Sequence, residues 1–240
     1  MINAKQEEFR MEIELLQPWS TFVMKTKLPS PILEKLIRIT DEIVENREGR
    51  SVDVKAGQMK DKFEIPFKIL DQEELVEFFL DVCRNYVIQS FCQSQPFDKE
   101  SILKEEYWTQ LNGMRVNSQK DNEYFPIHLH TNSDLSSVMY LKIPEYLPSR
   151  KNYGKGNDDD GSIIFVNNAS RDQNWGNPYL PIAPEVGDFY IFPSTQLHFV
   201  YPFRTPDGKG ERRSVSFNAS FTSKNEQDGL RKQQEEQEPI

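Results

Sequence analysis

The histidines are the residues of this chain whose spacing points most directly to chemistry. The sequence contains three histidines, and two of them form the triplet His128-Leu129-His130. Successive side chains of a strand point to opposite faces, so a strand here places both imidazoles on one face and Ile127 and Leu129 on the other. Imidazole nitrogens bind iron, zinc, copper and nickel. The triplet therefore predicts two metal ligands that converge without distortion of the backbone.

The third histidine, His198, follows the run GDFYIFP at residues 187–193. This run predicts a strand that ends in a proline turn, so a second strand can deliver His198 to the same pocket. Three protein ligands on one side of a metal leave coordination positions open for a substrate and for oxygen. The alternative interpretation is that these are ordinary histidines, because His-x-His alone is a common pair.

The elements that must position the histidines change in kind near residue 107. Beyond it, short apolar segments are separated by turn-rich pieces, a pattern typical of an antiparallel sandwich or barrel and not of alternating βαβ units. The candidate strands are 107–116, 126–130, 137–143, 162–166, 187–192, 197–201 and 214–221. The predicted fold class is mainly β with N-terminal helices (α+β).

The N-terminal part predicts one strand followed by two helices. Ser30 and Pro31 offer an N-cap and a first-turn proline for a helix that ends near Arg47. A second helix is expected to begin at Asp71, where Glu74 completes a pair that resembles a capping box. Its broad apolar face continues towards residue 91 and needs a sheet to cover it.

Length and composition indicate one folded domain. The chain has 240 residues, of which 37% are hydrophobic and 28% charged, as in globular proteins. We expect a single domain over 1–222, with a strand and helical N-terminal support at 1–105 and a β-barrel core at 106–222. The polar loop 148–161 and the charged tail 223–240 are predicted to be disordered. Cys83 and Cys92, nine residues apart in one predicted helix, are expected to pack without a disulfide.

The net charge of -9 disfavours nucleic acid as a partner, because an acidic protein repels phosphate backbones. Charges interrupt the N-terminal stretch where a secretory signal needs an apolar run, and no later stretch approaches the ~18 apolar residues of a membrane span. These features predict a cytoplasmic protein with no membrane partner. The sequence does not predict an oligomeric state.

Three ordered blocks of sequence resemble a known enzyme family. They are HLHTNSDLSSVMYL at 128–141, FPS at 192–194 followed by His198, and RRSVSFN at 212–218. Together they resemble the small 2-oxoglutarate and iron(II)-dependent oxygenases related to prolyl hydroxylases, in a branch that phages often encode. The resemblance covers roughly residues 107–221, and the N-terminal helices fit the family more loosely.

The resemblance implies a double-stranded β-helix, or jelly-roll barrel, with iron(II) inside its mouth and 2-oxoglutarate chelating the metal. It implies a dioxygenase that uses O2 to hydroxylate an unidentified substrate while 2-oxoglutarate is decarboxylated to succinate. A protein side chain is the first expectation for the substrate, a small metabolite the second and nucleic acid the third. A phage-encoded member would work in the host cytoplasm.

The resemblance also implies roles for particular residues. His128 and His198 correspond to the two family histidines, and Arg212 of the Arg-x-Ser pair with Ser214 holds the distal carboxylate of 2-oxoglutarate. A guanidinium suits this role because it donates two parallel charge-assisted hydrogen bonds to a carboxylate. Further candidates for cosubstrate binding are Asn112 and Tyr140.

Two alternatives remain for the arginine pair at 212–213. Both arginines could lie on the protein surface, beside a strand and away from any cosubstrate. A register one residue away would instead bring Arg213 inward in place of Arg212.

One departure from the family concerns the third metal ligand. Family members carry Asp or Glu where this chain has His130. We expect His130 to be the third ligand, and three neutral imidazoles would leave the iron more electropositive than two imidazoles and a carboxylate. Asp134 is the alternative third ligand, or the acceptor that orients an imidazole, and it is equally compatible with a plain turn beside Asn132.

Two other interpretations belong to different functional classes. Asp134, Gly187 and Pro193 stand near the histidines at spacings that resemble the two motifs of cupin-type metal-binding enzymes. Thr195 and Pro202 occupy positions where that spacing expects glycine and asparagine, and cupins have no general use for the Arg-x-Ser pair. The last interpretation is a non-enzymatic β-sandwich binding or structural protein, whose histidines hold structural zinc or nothing.

Overall fold

The computed structural model describes residues 22–50, 59–147, 159–167 and 178–228. The N-terminal elements, in chain order, are β1 Met24–Lys27, α1 Ser30–Asn46, β2 Asp61–Glu64, α2 Phe67–Gln72, α3 Val76–Ser94, a 3-10 helix Pro96–Asp98 and α4 Lys99–Lys104. The remaining elements are β3 Tyr107–Lys120, β4 Phe125–His128, β5 Leu135–Lys142, β6 Ile163–Val166, β7 Tyr179–Ile182, β8 Asp188–Pro193, β9 His198–Val200 and β10 Glu211–Ser223.

The strands form two antiparallel sheets. One sheet has six strands in the order β1-β8-β5-β10-β3-β2, and the other has four in the order β4-β9-β6-β7. All seven strands predicted beyond residue 107 are present with shifted ends, and β1 is the strand predicted before the helices. The prediction of a mainly β protein with N-terminal helices is confirmed. Strands β2 and β7 were not predicted. Each has four residues at a sheet edge, and β7 contains Pro181, a residue that lowers the expectation of a strand.

Helix α1 follows the prediction closely. It buries Leu36, Ile39 and Ile43 on one stripe, and Arg47 ends it in the left-handed conformation at φ 56°. The predicted N-cap is wrong by one position, because Pro29 stands at the cap and Ser30 is already helical.

The prediction of one helix from Asp71 is wrong, because two helices occupy this region. Helix α2 ends at Gln72 and α3 begins at Val76. Between them Glu74 has φ 58°, a conformation that ends a helix and is incompatible with a capping box. Leu70 and Leu75 on either side of the break are both fully buried, so the apolar pattern continues through it and gives no sign of the turn.

The predicted sheet that covers the helices is the six-stranded one, and this prediction is confirmed. Phe79 of α3 packs against Phe189 and Phe217 of that sheet, with ring centroids 6.2 and 5.3 Å away. Cys83 is buried in the same core, Cys92 is half-buried, and both are free thiols.

The other face of the six-stranded sheet meets the four-stranded sheet through a second apolar cluster. This cluster contains Tyr140, Tyr190 and Phe192 from one sheet and Ile163 and Phe165 from the other. Two layers of sheet therefore pack face to face, and the helices cover the outer side of the larger layer.

Both segments predicted to be disordered lie mostly outside the described residues. This applies to 148–158 of the loop and to 229–240 of the tail. The tail prediction is wrong at its start, where Ser223 ends β10 and residues 224–228 are helical. Within the described part of the chain, each helix is too short or too polar to cross a membrane.

A buried carboxylate fastens the edge strand β1 to β8. Asp188 is fully buried and forms ion pairs with Lys25 at 3.1 Å and Lys27 at 2.8 Å. It also accepts hydrogen bonds from the hydroxyl of Tyr190 at 2.9 Å and the backbone N–H of Glu185 at 3.0 Å. Burial by itself would raise the pKa of Asp188, but the hydrogen bonds from Lys27, Glu185, Lys25 and Tyr190 lower it to about 2.

We expect Asp188→Asn to lower the free energy of unfolding by about 2 kcal/mol at pH 7. The folded-state pKa lies below the unfolded value, so the carboxylate stabilises the fold above about pH 4, and this contribution is lost as the pH falls towards 2. Urea unfolding followed by circular dichroism should show a difference between wild type and variant that disappears in acid. Glu185→Gln, which removes an exposed partner of Lys27, is the control and should change stability little. An equal loss in both variants would contradict the prediction.

Candidate metal centre

The structure brings the three histidines together. His128 is the last residue of β4 and His198 the first of β9, and the two lie directly opposite each other in the register of these strands. Their ring centroids are 4.2 Å apart. With His130 they form a group whose potential ligand atoms all lie within 4.8 Å of one another, a spacing at which one metal ion can contact all three.

His130 reaches the group from outside the strand that was expected to carry it. Strand β4 ends at His128, so the predicted strand 126–130 is two residues too long. The alternation of faces persists, because Ile127 and Leu129 are 56% and 43% exposed while the histidines point inward. The backbone N–H of His130 donates to the carbonyl of Ser194 at 2.9 Å, which fixes this turn to the end of β8.

Backbone carbonyls orient two of the three rings. Nδ1 of His128 lies 2.8 Å from the carbonyl oxygen of Pro126, and Nδ1 of His198 lies 2.9 Å from that of Gln196. Nδ1 must donate to a carbonyl, which leaves the lone pair on Nε2 for a metal. His130 has no such carbonyl among the described residues, and its Nδ1 has only a 3.4 Å contact with the side-chain amide of Asn218. It is therefore the least constrained of the three rings.

Burial keeps the three imidazoles neutral near pH 7. Burial is the main cause that lowers the pKa of His198 to about 3 and that of His130 to about 4, and the proximity of His128, which disfavours a second positive charge, lowers both further. The pKa of His128 is lowered as well, first by burial. A neutral imidazole offers its lone pair without first losing a proton, so burial favours metal binding.

Asp134 lies outside the histidine group, so the structure gives no support to its role as the alternative third ligand. Its side chain is exposed, and its carboxylate accepts the backbone N–H of Phe221 at 3.0 Å. Its backbone bonds to Ala219 and Ser194. The residue therefore fixes the turn 131–134 to β10 and β8, which agrees with the interpretation as a turn residue.

A cavity of about 110 Å³ lies next to the histidines, between the two sheets. The histidines line it together with Arg212, Ser214 and Tyr140. Side chains of β10 alternate as expected. Arg212 faces the cavity, whereas Arg213 lies on the opposite face of the sheet, towards the helices, and pairs with Glu211 and with Asp41 of α1. The structure therefore contradicts both alternatives, a register shifted by one residue and a surface arginine pair.

The surroundings of Arg212 differ sharply from those of its neighbour. Both arginines are 3% exposed, but the Nη1 of Arg212 donates to the carbonyl of Gly161 and its guanidinium lies 5.5 Å from the ring centre of Tyr140. In the described part of the chain no carboxylate pairs with Arg212, and its Nε and the Tyr140 hydroxyl lack hydrogen-bond partners. Burial raises the pKa of Tyr140, so the hydroxyl stays protonated and can donate.

An unpaired buried cation is costly, because burial removes water without supplying a counter-charge. The two donors without partners, on Arg212 and Tyr140, are what a carboxylate would satisfy. A carboxylate ligand fits this place by charge and by donor set.

Asn112 does not line the cavity, so the structure does not support its predicted role in cosubstrate binding. It is exposed beside the irregularity where β10 shifts register against β3, and its amide donates to the hydroxyl of Ser220 at 2.8 Å. Cavity residues that the sequence analysis missed include Lys62, Arg115 and Asn117. The predicted strand stopped at 116, before Asn117, and β2 with Lys62 was not predicted; Arg115 lay within the prediction, but no motif marked it.

A comparison with protein families finds one match, and it contains the three histidines and Arg212. Residues 113–218 match a family model described as "Putative 2OG-Fe(II) oxygenase". The matched region contains the three histidines, which could hold a metal ion, together with Tyr140 and Arg212. The comparison with curated proteins found no match.

Several solved structures are similar to this chain. A Pseudomonas putida prolyl-4-hydroxylase has 15% identity over 82% of this chain and 91% of its own, with a TM-score of 0.47. A viral collagen prolyl hydroxylase from Paramecium bursaria Chlorella virus-1, in a 2OG complex, has 13% identity over 82% and 94%, with a TM-score of 0.41. An oxidoreductase of the 2OG-Fe(II) oxygenase family from Burkholderia pseudomallei has 16% identity over 82% and 84%, with a TM-score of 0.44.

Proposed function

We propose that this chain is an iron(II)- and 2-oxoglutarate-dependent oxygenase that hydroxylates its substrate. The observation that carries the proposal is a buried arginine without a carboxylate partner in the same cavity as three converging histidines. The histidines form a site for a metal, and Arg212 forms a site for an anion. A small dicarboxylic keto acid would occupy the metal site and the anion site together. It would chelate the metal at one end and pair with the arginine at the other.

The strand order supports a double-stranded β-helix as the scaffold. Strands β3, β5, β8 and β10 lie in the larger sheet, and β4, β6, β7 and β9 form the smaller one. Eight antiparallel strands in two packed layers of four match the jelly-roll arrangement. Strands β1 and β2 then extend the larger sheet at its two edges, and the helices support its outer face within one domain.

His128, His198 and His130 are the residues that would hold the iron. The first two are fixed by their strands and by backbone carbonyls, so they need little reorganisation on binding. Iron(II) with 2-oxoglutarate supplies the oxidation of a substrate C–H bond by O2, with release of succinate and carbon dioxide. The neutral ligand set adds no negative charge to the centre, in contrast to a set with a carboxylate.

Arg212, Tyr140 and Ser214 would hold the distal carboxylate of the cosubstrate. The guanidinium supplies charge and the Tyr140 hydroxyl supplies a donor that remains protonated. Apolar side chains, including Phe125, Ile163 and Phe192, line other parts of the cavity and exclude water from it. A low-dielectric wall strengthens the pairing between Arg212 and a carboxylate.

The position of Arg212 favours the oxygenase over the cupin interpretation, which has no use for a buried arginine at this place. It also disfavours a plain binding module, in which an unpaired buried charge would destabilise the fold without benefit. We infer that the substrate is a protein side chain or a small metabolite.

The metal site is tested by replacing its ligands. We expect one iron(II) per chain in the wild type and none in His128→Ala or His198→Ala, because each change removes one of the two oriented nitrogens. Elemental analysis after anaerobic loading measures this. Asp134→Ala is the control and should retain iron, since its carboxylate bonds to the backbone of Phe221. Loss of iron in Asp134→Ala with retention in the histidine variants would contradict the assignment.

The cosubstrate site is tested through Arg212. Anaerobic iron-loaded protein mixed with 2-oxoglutarate should develop the weak visible charge-transfer band of a chelated keto acid. Arg212→Ala should keep iron but bind 2-oxoglutarate roughly a hundredfold or more weakly, because two charge-assisted hydrogen bonds are worth about 1.5–3 kcal/mol each. Arg213→Ala is the matched control: it should lower thermal stability by removing pairs with Asp41 and Glu211, yet retain the band.

The third ligand is tested by restoring the carboxylate. We expect His130→Asp to keep or strengthen iron binding, because it recreates two imidazoles and one carboxylate around the metal. His130→Ala should weaken binding less than His128→Ala, since His130 lacks an orienting carbonyl. Isothermal titration with iron(II) under anaerobic conditions compares the three variants. Equal iron affinity in wild type and His130→Ala would show that His130 is not a ligand.

A further inference from the structure

Two more cations line the cavity that contains Arg212. Lys62 of β2 pairs with Asn117 of β3, and Arg115 lies two residues before Asn117 on the same face of β3. Diagonal neighbours on adjacent antiparallel strands are about 7–8 Å apart at the backbone, within reach of long side chains. The sheet therefore presents Lys62 and Arg115 side by side to one cavity.

Neither of these cations has a strong counter-charge. Lys62 is half-buried with its Nζ 4.0 Å from the ring centre of Phe125, and it forms no ion pair with any described residue. Burial, followed by the charge of Arg115, lowers the pKa of Lys62. Among the described residues Arg115 forms one ion pair, with Glu64 at 3.9 Å. Both side chains are mostly exposed, so this ion pair contributes little to stability.

The cavity as a whole is positive in an acidic protein. The chain has 38 acidic residues against 29 lysines and arginines, yet none of the described residues that line the cavity is Asp or Glu. Iron(II) with 2-oxoglutarate is neutral overall, since two positive charges meet two carboxylates. Arg212 would bind the cosubstrate, which leaves Lys62 without a carboxylate partner among the described residues and Arg115 with only the weak, exposed contact to Glu64.

We propose that the substrate is a small organic acid whose carboxylate or phosphate binds between Lys62 and Arg115. This inference rests on the proposed function and names the class of its substrate. The two side chains attract and anchor the anion, which holds the rest of the substrate beside the histidines that line the same cavity. A small acid fits better than a polyanion, because the net charge of -9 repels an extended phosphate chain and Lys62 is recessed beside Phe125.

The test measures anion binding to the iron(II) and 2-oxoglutarate complex under anaerobic conditions. The probes are benzoate, phenyl phosphate and the neutral benzyl alcohol, titrated calorimetrically with 2-oxoglutarate at saturation so that Arg212 is occupied. We expect the two anions to bind and the alcohol not to bind, with affinity that falls as salt is added. The tighter of the two anions identifies whether the site prefers a carboxylate or a phosphate.

Single substitutions locate the site. Lys62→Met and Arg115→Gln should each weaken binding of the preferred anion about tenfold or more, because each removes a charge-assisted hydrogen bond. Lys60→Met removes an exposed lysine outside the cavity and should leave the affinity unchanged. Lys62→Arg keeps the charge and should retain the affinity, which separates loss of charge from loss of fold.

Two results would overturn the inference: equal anion affinity in wild type, Lys62→Met and Arg115→Gln, or equal binding of the alcohol and the anions. The visible band of the complex is recorded in the same samples and reports the proposed function separately. A band that persists while anion binding is insensitive to both substitutions would refute the substrate class alone. Absence of the band in wild type would refute the oxygenase, and anion titration of the metal-free protein would still decide whether Lys62 and Arg115 form a site.

Discussion

The register of β10 against its two neighbours is the constraint on which the rest of this structure depends. Strand β10 pairs with β3 on one side and β5 on the other, and its side chains alternate between two very different surroundings. Val215 and Phe217 pack into the core under the helices, whereas Arg212 and Ser214 face the space between the sheets. A shift of one residue would place Arg213 in the cavity and drive Arg212 into the ion pairs of α1, so core packing and cavity chemistry enforce the same register.

Much of the fold can be predicted from the pattern of apolar residues alone. A strand that is buried on one face shows this burial in its sequence, because apolar and polar residues alternate along it. The seven strands beyond residue 107 that alternate or are continuously apolar were predicted in this way. The pattern failed where burial continued through a break, as between Leu70 and Leu75, and where an edge strand was short. The convergence of His128 and His198 could be expected from sequence, but the exclusion of Asp134 could not, since its hydrogen bond to Phe221 joins residues 87 positions apart.

The two faces of the large sheet differ in how their charged side chains are paired. On the outer face, charged side chains occur in compensated groups, such as Arg213 with Asp41 and Glu211. On the inner face, Arg212 and Lys62 have no carboxylate partner among the described residues and Arg115 has only an exposed contact with Glu64 at 3.9 Å, which is stable only if ligands bring the opposite charge or water reaches the groups. The chain therefore concentrates its uncompensated charge where a site is expected.

The turn that carries His130 has a consequence for the choice of metal. His128 and His198 are held by paired strands and by backbone carbonyls, which sets the distance and angle between two donor atoms. His130 lies beyond the end of β4, fastened through its backbone to Ser194, and its ring can adjust to ions of different size and coordination number. Proteins select among divalent ions largely through fixed geometry, because intrinsic affinity follows the same order at most nitrogen sites. With two fixed donors and one adjustable donor, such a centre would discriminate weakly among divalent ions, and the metals that the cell makes available would decide which ion fills it.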